Sequence, residues 1–206
     1  MNLEFEGKSE SSDKIVLSDI YKKGKNIAIW KRSFSKELLT SIDNFISNNK
    51  KDSTLPIIVK PNDVYDTLIN ELPDFALKSY LIEDISTIVD MFCYLFDLEQ
   101  AGLRLATINK AMCPRFHVDR VPCRLISCYS GSTTEWLKSI DVNRSILGIS
   151  DTPFKDKSTE IQKLDTGDVA LLKGETWEDN EGNGLVHRSP NILDSKTRLL
   201  LTLDFA

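Results

Sequence analysis

The sequence predicts an α+β protein, with a helical N-terminal half followed by a second half built as a β sandwich or barrel. Two observations carry this. Up to about Leu98 apolar residues recur at three- and four-residue spacing, and from Leu103 onward they fall in short runs separated by Gly, Pro, Asn and Asp. Helices first and strands afterwards place the chain in the α+β class. A third observation concerns size. A chain of 206 residues, 41% hydrophobic and 28% charged, has enough apolar surface for one real core, which excludes a disordered chain.

Residues 1–14 mix Glu, Asp, Ser and Lys with few large apolar groups and are expected to form a flexible arm. Residues 15–100 are expected to be mainly helical, and residues 101–206 to form the barrel, the whole packing as one unit. Ile27, Ala28, Ile29 and Trp30 suit a short buried strand. Ser35 can cap the helix that follows, with Phe34 and Leu39 as a hydrophobic staple and Leu38, Leu39, Ile42, Phe45 and Ile46 as its stripe. Residues 55–59 contain Pro56, which has no amide hydrogen to donate, so they suit a sheet edge or a connector. Asn62 or Asp63 can cap a helix to Leu72, where Pro73 interrupts the pattern. Ile82, Ile85, Val89, Phe92 and Phe96 mark the longest helix, over 75–98. Strands are expected over 103–108, 124–129, 162–164, 169–172, 185–187 and 198–205. The polar stretch 131–160 reads as a loop with one short helix near 135–139.

The net charge of −5 argues against a general nucleic-acid binder, because backbone phosphates need a basic surface. No apolar run approaches the ~20 residues that span a bilayer, and the N-terminus has no basic stretch leading into an apolar one. A cytoplasmic protein is expected, contacting neither nucleic acid nor membrane, with a small molecule or a protein side chain as substrate and its oligomeric state open. The cysteines Cys93, Cys113, Cys123 and Cys128 are then expected to be reduced.

The chemistry centres on Cys113-Pro114-Arg115-Phe116-His117-Val118-Asp119, which holds one of only two histidines. Residues two apart in a strand share a face, so His117 and Asp119 present an imidazole and a carboxylate together. His187, the other histidine, can supply a third ligand from a later strand. Two histidines and one carboxylate on one side of a metal form the facial triad of non-haem Fe(II) sites. Cys113 has the same parity, and Cys123 and Cys128 are near in sequence, so a closed Zn(II) site is the rival, though no Cys-x-x-Cys pair supports it.

The last strand adds to this. One face carries Leu199, Leu201, Leu203 and Phe205, suited to pack under the 75–98 helix, and the other carries Arg198, Leu200, Thr202 and Asp204. An arginine pointing into the barrel needs an anion, unless it pairs with Asp204 at the strand end. Glu175, Glu178, Asp179 and Glu181 form either a solvated run or an acidic rim around Trp177, a large aromatic suited to cover a pocket. Arg115, Arg120, Arg124 and Arg188 would favour an anionic substrate instead.

His117-x-Asp119, the distal His187 and Arg198 eleven positions beyond it, all behind a helical half, resemble the Fe(II)/2-oxoglutarate-dependent oxygenase superfamily. This resemblance implies a double-stranded β-helix, a cupin-like jelly-roll barrel. It also implies Fe(II) and 2-oxoglutarate as cofactors, His117, Asp119 and His187 as metal ligands, and Arg198 as the partner of the distal carboxylate of 2-oxoglutarate. Leu200 stands where the superfamily often has Ser or Thr, and Tyr129 is the candidate to supply that hydroxyl.

Residues 113–125, Thr134-Glu135-Trp136-Leu137, Gly167-Asp168-Val169-Ala170-Leu171-Leu172-Lys173-Gly174 and His187-Arg188-Ser189-Pro190 resemble, more closely, a bacterial family of unknown function, domain-of-unknown-function family 1826. The expected function is a metal-dependent oxygenase. The alternative is a cupin-like zinc-binding protein without oxygenase activity, serving metal homeostasis or a structural or interaction role.

Overall fold

The row of leucines at 199, 201 and 203 is the centre of the molecule. In the computed structural model, which describes residues 7–48, 53–190 and 197–206, these side chains lie under a long helix and are at most 1% exposed. In chain order the strands are β1 (Lys8–Ser11), β2 (Ile27–Trp30), β3 (Ser53–Val59), β4 (Ala101–Ile108), β5 (Cys123–Ser130), β6 (Glu135–Trp136), β7 (Gln162–Lys163), β8 (Val169–Lys173), β9 (His187–Arg188) and β10 (Arg198–Phe205). The α-helices are α1 (Lys36–Asn48), α2 (Val64–Glu71) and α3 (Lys78–Phe96), and Lys14–Tyr21 is a 3₁₀ segment.

Seven strands form one sheet in the order β1-β2-β8-β5-β10-β4-β3, and three form a second in the order β7-β6-β9. All pairs are antiparallel except β1 with β2. One face of the large sheet, through Leu103, Leu105, Leu125, Leu199, Leu201 and Leu203, packs on Ile82, Ile85, Val89 and Phe92 of α3. That is the period-2 row of a strand meeting the i, i+3, i+4 face of a helix. The other face looks toward the small sheet, and Ile126, Ala170, Leu172, Trp136 and Leu185 fill the space between them.

Several expectations hold at the level of single elements. Ser35 Oγ accepts the amide hydrogen of Leu38 at 3.2 Å, the cap expected for α1. β3, with Pro56, lies at the edge of the sheet. α3 begins three residues later than its apolar period suggested and stops at Phe96. Leu77 and Asp97, both left-handed (φ 59° and 53°), bound it, and the Asp97 amide closes the last turn on Cys93 O.

Two expectations are corrected. Residues 1–6 of the presumed arm lie outside the described residues, while Lys8–Ser11 form β1, held beside β2 by backbone pairing that composition does not register. Residues 15–100 hold α1, α2 and α3, and the segments read as a strand at 27–30 and an edge at 55–59 join, as β2 and β3, the same sheet that β4, β5, β8 and β10 build. No helix forms over 135–139. Glu135 and Trp136 pair with Lys163 and Gln162 on one side and with Arg188 and His187 on the other, so tertiary pairing outweighs local preference, and a 3₁₀ turn follows at Ser139–Asp141.

Candidate metal centre

His117 and His187 are brought together by backbone. The His117 amide donates to His187 O and the His187 amide to His117 O, both at 3.0 Å, a reciprocal antiparallel bridge that sets the imidazole centroids 4.6 Å apart. Asp119 follows two residues on. Its Oδ1 lies 3.5 Å from His117 Nε2 and its Oδ2 lies 3.5 Å from His187 Nε2. Among the described residues this is the one group of three or more His, Cys, Asp or Glu side chains arranged to hold an ion, its ligand atoms all within 4.8 Å of one another. Two atoms ~2.1 Å from one ion at a right angle sit ~3.0 Å apart, so separations of up to 4.8 Å must shorten for all three to ligate one divalent metal.

The outer contacts prepare the same atoms. His117 Nδ1 is 2.9 Å from Arg115 O, and His187 Nδ1 is 3.1 Å from Leu185 O. A carbonyl can only accept, so each Nδ1 carries a proton, and each Nε2 faces Asp119, donating to it when the imidazole is protonated and offering a lone pair when it is neutral. Arg124 Nη1 donates to Asp119 Oδ2 at 2.7 Å, while Nε and Nη2 hold the two oxygens of Asp204 at 2.7 and 2.9 Å. Burial pushes the Asp119 carboxyl up, but hydrogen bonds from His117 and His187 and the charge of Arg124 outweigh it and hold Asp119 well below the usual carboxylate range. The hydrogen bond to Asp119 in turn raises His117 above its ordinary value, against the effect of burial.

The turn after Asp119 is braced by residues 174–176. Gly174 N donates to Pro122 O at 2.9 Å and Glu175 N to Asp119 O at 2.8 Å. A Cβ on Gly174 would lie 1.9 Å from Val121 O, so only glycine lets these backbones approach this closely.

The triad opens on a cavity of ≈ 130 Å³ between the sheets, lined also by Arg104, Ala106, Ile108, Met112, Ile126, Leu200 and Thr202. Arg198 heads the row that continues to Leu200 and Thr202 and pairs with Ile108. It is fully buried, and among the described residues its Nε, Nη1 and Nη2 have no hydrogen-bond partner. Asp204, its possible partner at the strand end, is taken by Arg124. The neighbouring Cys128 thiol is pushed up by burial, stays neutral and donates to Ser130 O at 3.1 Å, so it offers Arg198 no anion.

Tyr129 is not at this site. It sits on the opposite face of β5, where its hydroxyl donates to Asp84 Oδ2 of α3 at 2.6 Å and its ring stacks on Phe34. The strand alternation that turns Ile126 inward turns Tyr129 toward the helix. The cysteines also stay out of the metal cluster. Cys93, Cys123 and Cys128 are buried free thiols, and Cys113 is exposed at the cavity rim. Trp177 covers no part of this cavity. It packs on Tyr21 and Phe96, with Lys173 Nζ 4.7 Å from its ring. Arg188 is neutralised by Glu135 at 2.7 Å and lies over the Phe116 ring. Thr202 was placed by sequence on the inward face of the last strand without a role, and Arg104 was not singled out, although the alternation along β4 turns it to the cavity face as well.

The family described as "Protein of unknown function (DUF1826)" matches residues 11–204, and the chain belongs to it. No curated protein matches the sequence. Among solved structures, a protein from Shewanella oneidensis designated an oxygenase is 10% identical with a TM-score of 0.50, the match covering 96% of this chain and 89% of that one. JOX2, solved in complex with 2OG, Fe and JA, is 12% identical with a TM-score of 0.48, covering 100% of this chain and 77% of that one. A rice dioxygenase for auxin oxidation is 12% identical with a TM-score of 0.45. There the match covers 75% of this chain, which spans only 56% of the rice protein. The likeness to the Shewanella protein is one of fold. No described helix is long and apolar enough to cross a membrane.

Proposed function

We propose that the protein is an oxygenase that binds Fe(II) through His117, Asp119 and His187 and takes 2-oxoglutarate as cosubstrate, its distal carboxylate held by Arg198. The observation that carries this reading is Arg198 itself: a fully buried guanidinium with no hydrogen-bond partner among the described residues, on the same strand row as the cavity-lining Leu200 and Thr202. A buried cation without a counter-ion costs several kcal/mol, so the site suits a ligand that brings a carboxylate. The donor set fits the metal equally well, with two imidazole nitrogens and one carboxylate grouped together.

The strand order supports the finer reading of the fold as a double-stranded β-helix. The chain passes from β4 through the His117 bridge to β5, then to β6 and β7, and on through β8, β9 and β10, crossing between the two sheets as it goes. Fe(II) and 2-oxoglutarate bound together supply dioxygen activation, with oxidation of a C–H bond in a second molecule. The protein's own part is positional. Arg115 O and Leu185 O orient the imidazoles, Arg124 holds one oxygen of Asp119 so that Oδ1 is free for an ion, and Ile108, Ile126 and Leu200 line the cavity with apolar surface.

Anaerobic purification, loading with Fe(II) and titration with 2-oxoglutarate test this. The visible metal-to-ligand charge-transfer band should appear in the native protein and be lost in His187→Ala and Arg198→Gln. Iron bound without that band removes 2-oxoglutarate from the reading and leaves a metal protein.

A further inference from the structure

We infer that the cavity beside the triad receives a small apolar carboxylate as substrate, its oxyanion held between Arg104 and Thr202. The inference deepens the function proposed above and rests on the same cavity. Arg104 on β4 and Thr202 on β10 are register partners, and both line the cavity with His117, Asp119 and His187.

Neither has a partner among the described residues. Thr202 is 9% exposed and its Oγ1 is buried without a hydrogen bond, a state that costs free energy unless a ligand completes it. Arg104 makes no hydrogen bond or ion pair among the described residues. The other charges on this wall are matched within the protein: Arg124 by Asp119 and Asp204, and Arg188 by Glu135. Among the described residues that line the cavity, Arg104 is therefore the cation with no anion beside it.

A guanidinium beside a hydroxyl donor is a recognition pair for a carboxylate, because a charge-assisted hydrogen bond has about twice the strength of a neutral one. Around the pair the walls are Ala106, Ile108, Met112, Ile126 and Leu200. The ≈ 130 Å³ they enclose is close to the ~150 Å³ of an apolar cavity that accepts benzene. An acid with a compact apolar body matches both features. Arg198 is a separate anion site, paired with Ile108 four residues further along β4 from Arg104.

Benzoate and its neutral counterpart benzamide are the probes, each titrated into the metal-free protein and into the Zn(II) form, with binding read by ligand-observed NMR. Native protein should bind benzoate at least about tenfold more tightly than benzamide, as expected for a hydrogen bond to a charged group. Arg104→Gln should erase that preference, Arg104→Lys should restore part of it, and Thr202→Val should weaken benzoate several-fold. Arg198→Gln should leave the preference intact. Equal affinity for the two probes, no binding of either, or a preference that survives Arg104→Gln overturns the subsite. A preference lost only in Arg198→Gln also overturns it, assigning the anion to Arg198 instead. The charge-transfer titration fails independently: a missing band with the benzoate preference present removes the cosubstrate and keeps the subsite.

Discussion

Arg124 ties Asp119 to the last strand, with Nη1 2.7 Å from Asp119 Oδ2 and its other nitrogens on both oxygens of Asp204. The aspartate is thereby held before any metal arrives, and one of its oxygens is already engaged. Arg124→Gln should lower metal affinity about 10- to 100-fold, the usual effect of losing an outer-shell partner. Calorimetric titration with Co(II) would measure it. Affinity equal to the native value would show that Asp119 needs no such brace.

The His117–Asp119 pair gives the metal-free protein a pH signature. Asp119 is depressed, so its contribution is present above the unfolded carboxyl value of ~3.9 and is lost as pH falls through the folded one. His117 is raised, so its contribution is complete below the unfolded value of ~6.5 and is lost as pH rises through the folded one. The melting temperature of the native chain relative to Asp119→Asn should therefore be highest between about pH 4 and 6.5 and shrink on both sides. A difference that is flat with pH would deny the pairing.

Metal and proton compete for the same histidine. Because an imidazole must be neutral to ligate, affinity should rise as pH passes upward through the elevated value of His117, with a proton released from His117 on binding in the weakly acidic range. Calorimetry in two buffers of different ionisation enthalpy would count the protons.

Burial of Arg198 without a partner among the described residues predicts opposite effects with and without ligand. Arg198→Met should raise the melting temperature of the ligand-free protein, since it replaces an uncompensated buried charge with an apolar side chain of similar length. The stabilisation that 2-oxoglutarate confers on the metal-loaded native protein should vanish in the same variant. Thermal melts with and without the cosubstrate supply both readings.

Gly174→Ala should cost about 1–3 kcal/mol, the range for overpacking a closed site, and should weaken metal binding as well. Its Cβ would meet Val121 O at 1.9 Å and Asp119 O at 2.8 Å, pushing apart the two backbones that carry the turn after Asp119. Urea unfolding and a metal titration on one preparation test the two effects together.

Local pattern alone determined a good deal. The apolar stripe of α3, the alternation of β10, the cap at Ser35 and the edge position of Pro56 each depend on spacing between near neighbours, and such spacing is written in the chain. His117 and Asp119 could be grouped for the same reason, since they are two residues apart. Other features depended on pairing across long separations. The His117–His187 bridge, the capture of Asp204 by Arg124 rather than Arg198, and the strand at Glu135–Trp136 involve partners dozens of residues away, and no local period encodes them. Tyr129 shows the same division. Its hydroxyl chemistry is evident from its identity, but which side of β5 it occupies follows from the register with β8 and β10, which turned it toward Asp84 and away from Arg198. Periodicity therefore determined which residues share a face, and sheet register decided which faces meet, because backbone pairing sets the distances over which charges and ligand atoms interact.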